Sequence, residues 1–387
     1  MARPLDGLTV VDMTRVLAGP YATMLLADLG ARVIKVEAPG TGDDARAYPP
    51  FVEGESAYFA SVNRGKESIA LDLKSQDDRA ILEALLARAD VLAENFRPGA
   101  LARLGYGWDR LHARFPRLIL ASTSGFGQTG PEAARPAYDV IVQAMGGIMS
   151  VTGHPGQPPV RVGTSLGDIT AGLFTVIGVE AALLKRHATG LGTHVDVAMF
   201  DCQLAILENA IARLMVSGKD PGPLGSRHPS ITPFQAFETA DGPIVVAAGN
   251  DALFAAMAQA LGIPALADDP RFATNLARTE NQAALEAIVE ERLTTAPAAH
   301  WLGLLGEAGV PAGPVNRVSQ ALGSPQVRAR NMLVETALPG GRPLTVAGNP
   351  VKMSGVPDPA TRPPAPRLDG DRARILAELG LAGGGTG

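Results

Sequence analysis

The sequence has 387 residues, a formal net charge of −5, 46% hydrophobic residues and 19% charged residues. That length favours two domains over one, and the composition excludes a largely disordered chain. The net charge and the 5% aromatic content argue against nucleic acid or an anionic membrane as a partner, and a single cysteine, Cys202, excludes an intrachain disulfide framework.

The first forty residues contain two short apolar runs separated by a helical pattern. The runs are Leu8 to Met13 and Ala31 to Glu37, and the helical segment, Tyr21 to Leu29, is entered through Gly19-Pro20. Strand, helix and strand in this order predict a parallel βαβ unit. Because ligands of such sheets bind at the carboxyl ends of strands, we expect the loop 14–20 to contact a ligand. The G-x-G-x-x-G fingerprint of dinucleotide sites is absent.

The same alternation continues to residue 124 and predicts an α/β fold with an open sheet. Three further strands are expected at Ser68 to Leu73, Asp90 to Glu94 and Leu118 to Ser124, with a helix at about 76–89 between the first two. Several loops on one edge carry glycine and nearby cations, a combination that suits a ligand rich in phosphate. The available cations are Lys74, Arg97 and Arg103.

The segment Gly163 to Gly172 opens a long apolar run that closes on Lys185-Arg186-His187. Cations in a last turn complement the helix dipole, so this run predicts a helix with Asp168 at or just before its first turn. Two interpretations of Asp168 remain open. It is a helix N-cap, which position alone favours, or it is a nucleophile beside free backbone donors.

The rest of the chain predicts a second, smaller α+β domain. A helix over 199–217 leads into a region rich in Gly, Pro and Ser, followed by two strands, Phe234 to Glu238 and Ile244 to Ala248, and by helical patterns. We expect a large domain over 1–200, a linker over 201–233, a small domain over 234–320 and a return segment over 321–387.

The sequence excludes several kinds of active site. The six histidines are scattered without metal-ligand spacing, so no metal is expected, and neither a G-x-S-x-G elbow nor a P-loop occurs. A carboxylate nucleophile among glycine-rich loops remains, and Asp can attack an acyl carbon and hold the product as an anhydride or thioester. No signal peptide is evident, and the best apolar run contains Glu180, so we expect a cytoplasmic protein that does not enter membranes.

Several ordered motifs together resemble the family III CoA-transferases of the CaiB/BaiF type, and the resemblance runs over essentially the whole chain. The motifs are Leu8 to Asp12, Ala18-Gly19-Pro20, Val33 to Glu37, Gly40 to Asp43, Asn63 to Lys66, Leu71 to Lys74, Glu94 to Gly99, Gly163 to Gly172, Gly249-Asn250 and Gly309 to Pro314.

The resemblance implies a Rossmann-like large domain built from both chain ends, a small middle domain and an interlocked homodimer. It also implies that Asp168 is the catalytic residue and that coenzyme A is bound without a metal. The implied CoA contacts are Leu17, Ala18, Leu71, Asp72, Leu73, Lys74, Asn95, Phe96, Arg97, Arg103, Tyr138 and Asp139. A mobile glycine loop over the site is implied at Ala248, Gly249 and Asn250.

The function we expect is transfer of CoA from an acyl-CoA to a short di- or hydroxy-carboxylate such as succinate, glutarate, malate or citramalate. Arg227 or His228 could hold the second carboxylate, although this segment could equally be a linker with incidental charges. Formyl-CoA transferases have glutamine in place of Leu17 and arginine in place of Ala38, which argues against formyl-CoA and oxalate as the substrate pair. The alternative is a 2-methylacyl-CoA racemase, but related racemases have histidine where this chain has Tyr138.

Overall fold

The computed structural model describes residues 3–381. The chain divides into two compact units. The first comprises Met1–Ser150, Arg161–Pro221 and Pro325–Gly387, and the second comprises Val151–Val160 and Gly222–Ser324.

The strands, in chain order, are β1 (Thr9–Asp12), β2 (Arg32–Glu37), β3 (Phe51–Val52), β4 (Glu55–Ser56), β5 (Glu67–Ala70), β6 (Val91–Glu94), β7 (Ile119–Ser124), β8 (His194–Ala198), β9 (Phe234–Phe237), β10 (Ile244–Ala247), β11 (Ala312–Pro314), β12 (Leu333–Ala337) and β13 (Pro343–Ala347).

The α-helices are α1 (Ala18–Asp28), α2 (Ala57–Asn63), α3 (Gln76–Leu86), α4 (Ala100–Arg103), α5 (Trp108–Arg114), α6 (Asp139–Met145), α7 (Ile148–Val151), α8 (Leu166–Thr189), α9 (Met199–Ile206), α10 (Asn209–Ser217), α11 (Asp251–Ala260), α12 (Asn275–Glu280), α13 (Gln282–Leu293), α14 (Ala298–Glu307), α15 (Val318–Leu322), α16 (Pro325–Ala329) and α17 (Arg372–Leu379). Two 3₁₀ helices span Asp44–Ala47 and Pro264–Asp268.

The first unit is built on a six-stranded sheet in the order β5-β2-β1-β6-β7-β8, with every neighbouring pair parallel. The predicted α/β fold is confirmed, and the strand order is that of doubly wound nucleotide-binding sheets. Both faces are covered, because successive residues such as Val10 and Val11 are both buried, on opposite sides. This explains why the strands are apolar runs.

Helix α8 packs against α1 on one face of the sheet. Gly172 makes this contact possible, since a Cβ atom there would lie 2.9 Å from the Ala18 carbonyl oxygen and 2.9 Å from the Tyr21 ring. The helix ends at Gly190, whose φ of 75° is the left-handed conformation common at helix ends. Arg186 and His187 occupy its last turn, as the sequence predicts.

By length and composition alone, α8 could cross a membrane, and 44% of its most apolar window is buried inside the fold. The core helix of a soluble protein can have the same length and composition, so these two properties do not distinguish a membrane-spanning helix from a core helix.

The second unit contains the three-stranded antiparallel sheet β11-β10-β9 and a core formed by its helices. The two strands predicted at Phe234 to Glu238 and Ile244 to Ala248 are confirmed as β9 and β10, which pair antiparallel. Strand β11 was not predicted, because its three residues are too few to show alternation. The single helix predicted over 199–217 was wrong, because the chain breaks at Glu208, which has a φ of 52°, into α9 and α10.

Candidate active site

The candidate site lies at the carboxyl ends of β1 and β6, adjacent strands at which the chain order of the sheet reverses. Asn95, the residue after β6, ties the two strand ends together. Its Oδ1 accepts the Arg15 N–H at 2.8 Å, and its Nδ2 donates to the Arg15 carbonyl oxygen at 2.8 Å. The amide of Asn95 therefore fixes the loop after β1.

A cavity of about 290 Å³ opens at this reversal point, and it is formed entirely by the first unit. It is lined by Arg15, Val16, Leu17, Ala18, Asp44, Asn95, Phe96, Arg97, Pro98, Thr123, Ser124, Gly125, Arg135, Pro136, Ala137, Tyr138, Asp168 and Met199.

Asp168 enters this cavity from the first turn of α8. The N-cap of the helix is Ser165, so Asp168 is the third helical residue: its predicted location in the first turn is confirmed, and the N-cap interpretation was wrong. Within residues 3–381 no hydrogen bond to its carboxylate is recorded. Its oxygens thus remain available to a ligand.

Burial raises the pKa of Asp168 to about 7, and the nearby negative charge of Asp139 adds to the shift. The positive end of the helix dipole acts in the opposite direction, but desolvation prevails. A carboxylate with a pKa near neutrality is a stronger nucleophile than an ordinary aspartate and is still largely ionised at pH 8.

Asp139 shapes the start of α8 and is itself buried. Its Oδ1 accepts the Gly167 N–H at 2.8 Å, and its Oδ2 accepts Nε2 of Gln143 at 2.8 Å. Gly167 suits this position because a Cβ atom there would lie 2.6 Å from a Val142 methyl group. Asp139 therefore fixes the backbone directly before Asp168 and adds the charge that raises its pKa.

The family model for CoA-transferase family III matches residues 5–372. The chain belongs to this family. It is 52% identical over 377 residues to the acetyl-CoA:oxalate CoA-transferase of Acetobacter aceti, covering 97% of this chain and 96% of the relative. It is 42% identical over 383 residues to the succinate–glutarate CoA-transferase of Agrobacterium fabrum, covering 97% and 96%.

A solved structure of a CaiB/BaiF family protein from Brucella suis has a TM-score of 0.86 and 43% identity to this chain, covering 98% of this chain and 100% of that one. These comparisons confirm that the protein is a CoA-transferase, which transfers CoA from an acyl-CoA to a carboxylic acid. They support CoA transfer over the racemase alternative.

In this CoA-transferase, half of the predicted CoA contacts line the cavity with Asp168: Leu17, Ala18, Asn95, Phe96, Arg97 and Tyr138. The others do not line it: Leu71, Asp72, Leu73, Lys74, Arg103 and Asp139. Among these, Leu71 has a side chain in the hydrophobic core, and Asp72 accepts the Lys74 N–H at 3.0 Å.

Two residues near Asp168 in this CoA-transferase, Tyr58 and Arg135, were not predicted from the sequence. Burial, and to a smaller extent the negative charge of Asp168, raises the pKa of Tyr58 to about 12, so this phenol stays protonated. Arg135 lines the cavity from the loop after β7 and pairs with Glu132 at 3.0 Å. A cation in a glycine- and proline-rich loop after a strand is the pattern that could have identified Arg135.

The predicted glycine loop, Ala248 to Asn250, belongs to the second unit of the CoA-transferase, where it follows β10. Asn250 is the N-cap of α11, and its Oδ1 accepts the Leu253 N–H at 2.8 Å. A Cβ atom at Gly249 would lie 2.3 Å from Cγ2 of Ile231, so the backbone approaches this side chain closely.

Arg227 and His228 also lie in the second unit. Nε of Arg227 donates to the Leu224 carbonyl oxygen at 3.4 Å, and Nδ1 of His228 accepts the Ser230 N–H at 3.2 Å. Throughout residues 3–381, no group of three or more His, Cys, Asp or Glu side chains is arranged to hold a metal ion.

Proposed function

We propose that Asp168 is the nucleophile of the CoA transfer and that the acceptor is a small dicarboxylate. The observation that carries the first part is a carboxylate with a pKa near 7, without a hydrogen-bond partner among the described residues, in a cavity lined by six of the predicted CoA contacts. The relatives' names, which include oxalate, succinate and glutarate, support the second part.

The reaction proceeds through two anhydrides and one thioester on Asp168. The carboxylate attacks the donor acyl carbon and releases CoA thiolate, leaving an acyl-aspartyl anhydride. The thiolate attacks the aspartyl carbonyl carbon and expels the donor acid, giving an aspartyl-CoA thioester. The acceptor carboxylate attacks that carbonyl carbon and releases the thiolate again. Finally the thiolate attacks the acceptor acyl carbon, forming the new acyl-CoA and restoring the Asp168 carboxylate.

Both anhydrides must be shielded from water during these steps. We assign this shielding to the glycine loop Ala248 to Asn250, as the family resemblance implies.

A dicarboxylate acceptor needs a cation for its distal carboxylate. Three arginines line the cavity, and two of them are already paired: Arg15 with Asp44 at 2.6 Å and Arg135 with Glu132 at 3.0 Å. Arg97 has no ion pair within residues 3–381, and we assign it to the CoA phosphates. Arg227 and His228 of the second unit stay candidates for the distal carboxylate.

A matrix of donors and acceptors tests the substrate class. Acetyl-CoA and succinyl-CoA are each incubated with oxalate, malonate, succinate, glutarate, malate and citramalate, and the CoA products are identified by mass spectrometry. Acetate and butyrate serve as monocarboxylate controls. We expect at least one dicarboxylate to be used at least about tenfold better than either control, because one added hydrogen bond to a charged group contributes about 1.5–3 kcal/mol. Preference for a monocarboxylate contradicts the proposal.

Whether oxalate is an acceptor depends on the donor with which it is paired. Leu17 and Ala38 differ from the residues of formyl-CoA transferases and argue against the pair of formyl-CoA and oxalate. The relative from Acetobacter aceti, by its name, pairs oxalate with acetyl-CoA instead. We therefore place oxalate among the candidate acceptors and acetyl-CoA first among the donors.

We also propose a cytoplasmic homodimer. Helix α8 exposes apolar side chains, with Ile177 and Leu184 exposed to 57% and 75%, and α10 exposes Met215 and Val216. In the cytoplasmic protein that we propose, a partner covers this surface, and a second copy is the partner that the family resemblance implies. Light scattering after size-exclusion chromatography tests this, and a monomer at micromolar concentration contradicts it.

A further inference from the structure

The loop after β1 contains a backbone conformation that its sequence does not favour. Val16 has a φ of 67°, in the left-handed region that β-branched residues avoid. It lines the cavity beside Asp168, and the next residue, Leu17, is the N-cap of α1 and makes no side-chain cap hydrogen bond. The conformation of Val16 therefore sets where the amino end of α1 points.

The buried ion pair of Asp43 and Lys35 stabilises this backbone conformation by hydrogen bonds to the turn. Oδ1 of Asp43 accepts the Val16 N–H at 3.0 Å, and its Oδ2 lies 2.8 Å from Nζ of Lys35. The same ammonium group donates to the Thr14 carbonyl oxygen at 2.7 Å. Both side chains are almost fully shielded from solvent, with exposed fractions of 1% for Asp43 and 0% for Lys35.

A second buried pair secures the residues on either side of this turn. Asp12 accepts the Thr14 N–H at 2.9 Å and pairs with Nζ of Lys66 at 2.9 Å. Lys66 also donates to the Pro20 carbonyl oxygen, in the first turn of α1, at 3.1 Å. Since Asn95 holds both backbone groups of Arg15, the whole turn is fixed by side chains from elsewhere in the first unit.

Burying charged side chains costs free energy, and apolar side chains in place of a buried ion pair often stabilise a fold equally well or better. Stability of the core therefore does not explain why Asp43 and Lys35 are buried together. Their contacts with the turn at Val16, next to Asp168, indicate a role in the active site. We infer that Asp43 is a positioning residue: with Lys35 it keeps Val16 left-handed, so that the free backbone N–H groups at the start of α1 face the acyl group carried by Asp168. This inference rests on the proposed role of Asp168.

Asp43→Asn tests the inference, because it keeps an oxygen for Val16 but loses the charge that pairs with Lys35. We expect kcat to fall about 10- to 100-fold and the Kd for CoA to rise by a smaller factor, because only Leu17 and Ala18 among the predicted CoA contacts adjoin this turn. The matched control is Asp28→Asn. Asp28 is a buried carboxylate paired with Arg64 at 2.8 Å, outside the cavity, and its loss should lower the Tm without lowering kcat.

A double-mutant cycle separates positioning from general stabilisation. Glycine adopts a positive φ without strain, so Asp43→Asn should reduce kcat much less in a Val16→Gly background than in the natural one, while the loss of Tm stays the same in both. Equal losses of kcat in the two backgrounds overturn the inference. So does an unchanged kcat in Asp43→Asn.

If Asp43→Asn yields no soluble protein, Val16→Pro and Val16→Gly are compared instead. Proline fixes φ near −65° and removes the N–H that Asp43 accepts, so it should lower kcat at least about tenfold more than glycine does. Equal kcat values overturn the inference. The proposed function fails by a different result, namely turnover retained in Asp168→Asn.

Discussion

The raised pKa of Asp168 predicts that replacing the residue stabilises the protein, but only above acidic pH. The folded state holds the Asp168 proton up to a pH of about 7, whereas the unfolded chain releases it near 3.8. Between these values the folded state binds more protons, so stability falls as the pH rises through this window. Asp168→Asn removes the titration and should cancel that loss.

The size of the effect follows from the shift. A change from 3.8 to about 7 corresponds to about 4 kcal/mol if the carboxylate is fully shielded from water. Asp168 is partly buried and borders an open cavity, so solvent reduces the effect to about 2 kcal/mol. Asp168→Asn should therefore exceed the parent by less than about 1 kcal/mol near pH 4.5, which is only slightly above the unfolded pKa, and by about 2 kcal/mol near pH 8.

Urea unfolding at the two pH values measures the difference. The two tryptophans are Trp108 in the first unit and Trp301 in the second, so a Trp301→Phe background makes Trp108 fluorescence a reporter of the unit that contains Asp168. Equal stability differences at pH 4.5 and pH 8 would refute the assigned pKa. A variant less stable than its parent at pH 8 would show instead that the carboxylate stabilises the fold.

Three further results are expected. With Asp168 as nucleophile, kcat/KM should fall about tenfold per pH unit below pH 7, and a profile flat down to pH 5 contradicts a pKa near 7. Gly172→Ala should destabilise the fold by about 1–3 kcal/mol, because its Cβ atom would lie 2.9 Å from the Ala18 carbonyl oxygen. Gly303→Ala is the control, since a Cβ atom there would have no neighbour within 4 Å, and calorimetric Tm values compare the two variants. Arg97→Ala should raise the Kd for CoA at least about tenfold at low salt and less at high salt, as measured by calorimetry, and no salt dependence argues against a phosphate contact.

Local sequence patterns predicted the sheet well because its strands are continuous apolar runs. The predicted runs Leu8 to Met13 and Ala31 to Glu37 contain β1 and β2, and the rule that ligands bind at strand ends led to the loop that forms one wall of the cavity. The first helix begins at Ala18, three residues before the predicted start, because Pro20 fits within a first helical turn.

The site itself depends on contacts between residues far apart in the chain, which no local pattern predicts. Asp43 lies 27 residues from the Val16 N–H that it accepts, and Lys66 lies 54 residues from Asp12. Asp168 shows the same limit. Its sequence position suggested a helix N-cap, but Ser165 is the N-cap in the structure. The raised pKa of Asp168 comes from its burial and from the charge of Asp139, and neither can be inferred from neighbouring residues in the sequence.

Oxygen exchange into Asp168 tests the central claim most directly. In the proposed reaction, the acceptor carboxylate leaves one of its oxygens on the aspartate when the second anhydride is resolved. One turnover with an ¹⁸O-labelled dicarboxylate should therefore add about 2 Da to the peptide that contains Asp168 and to no other peptide, as mass spectrometry of a digest would show. Turnover without label in that peptide would contradict the assignment of Asp168 as the nucleophile.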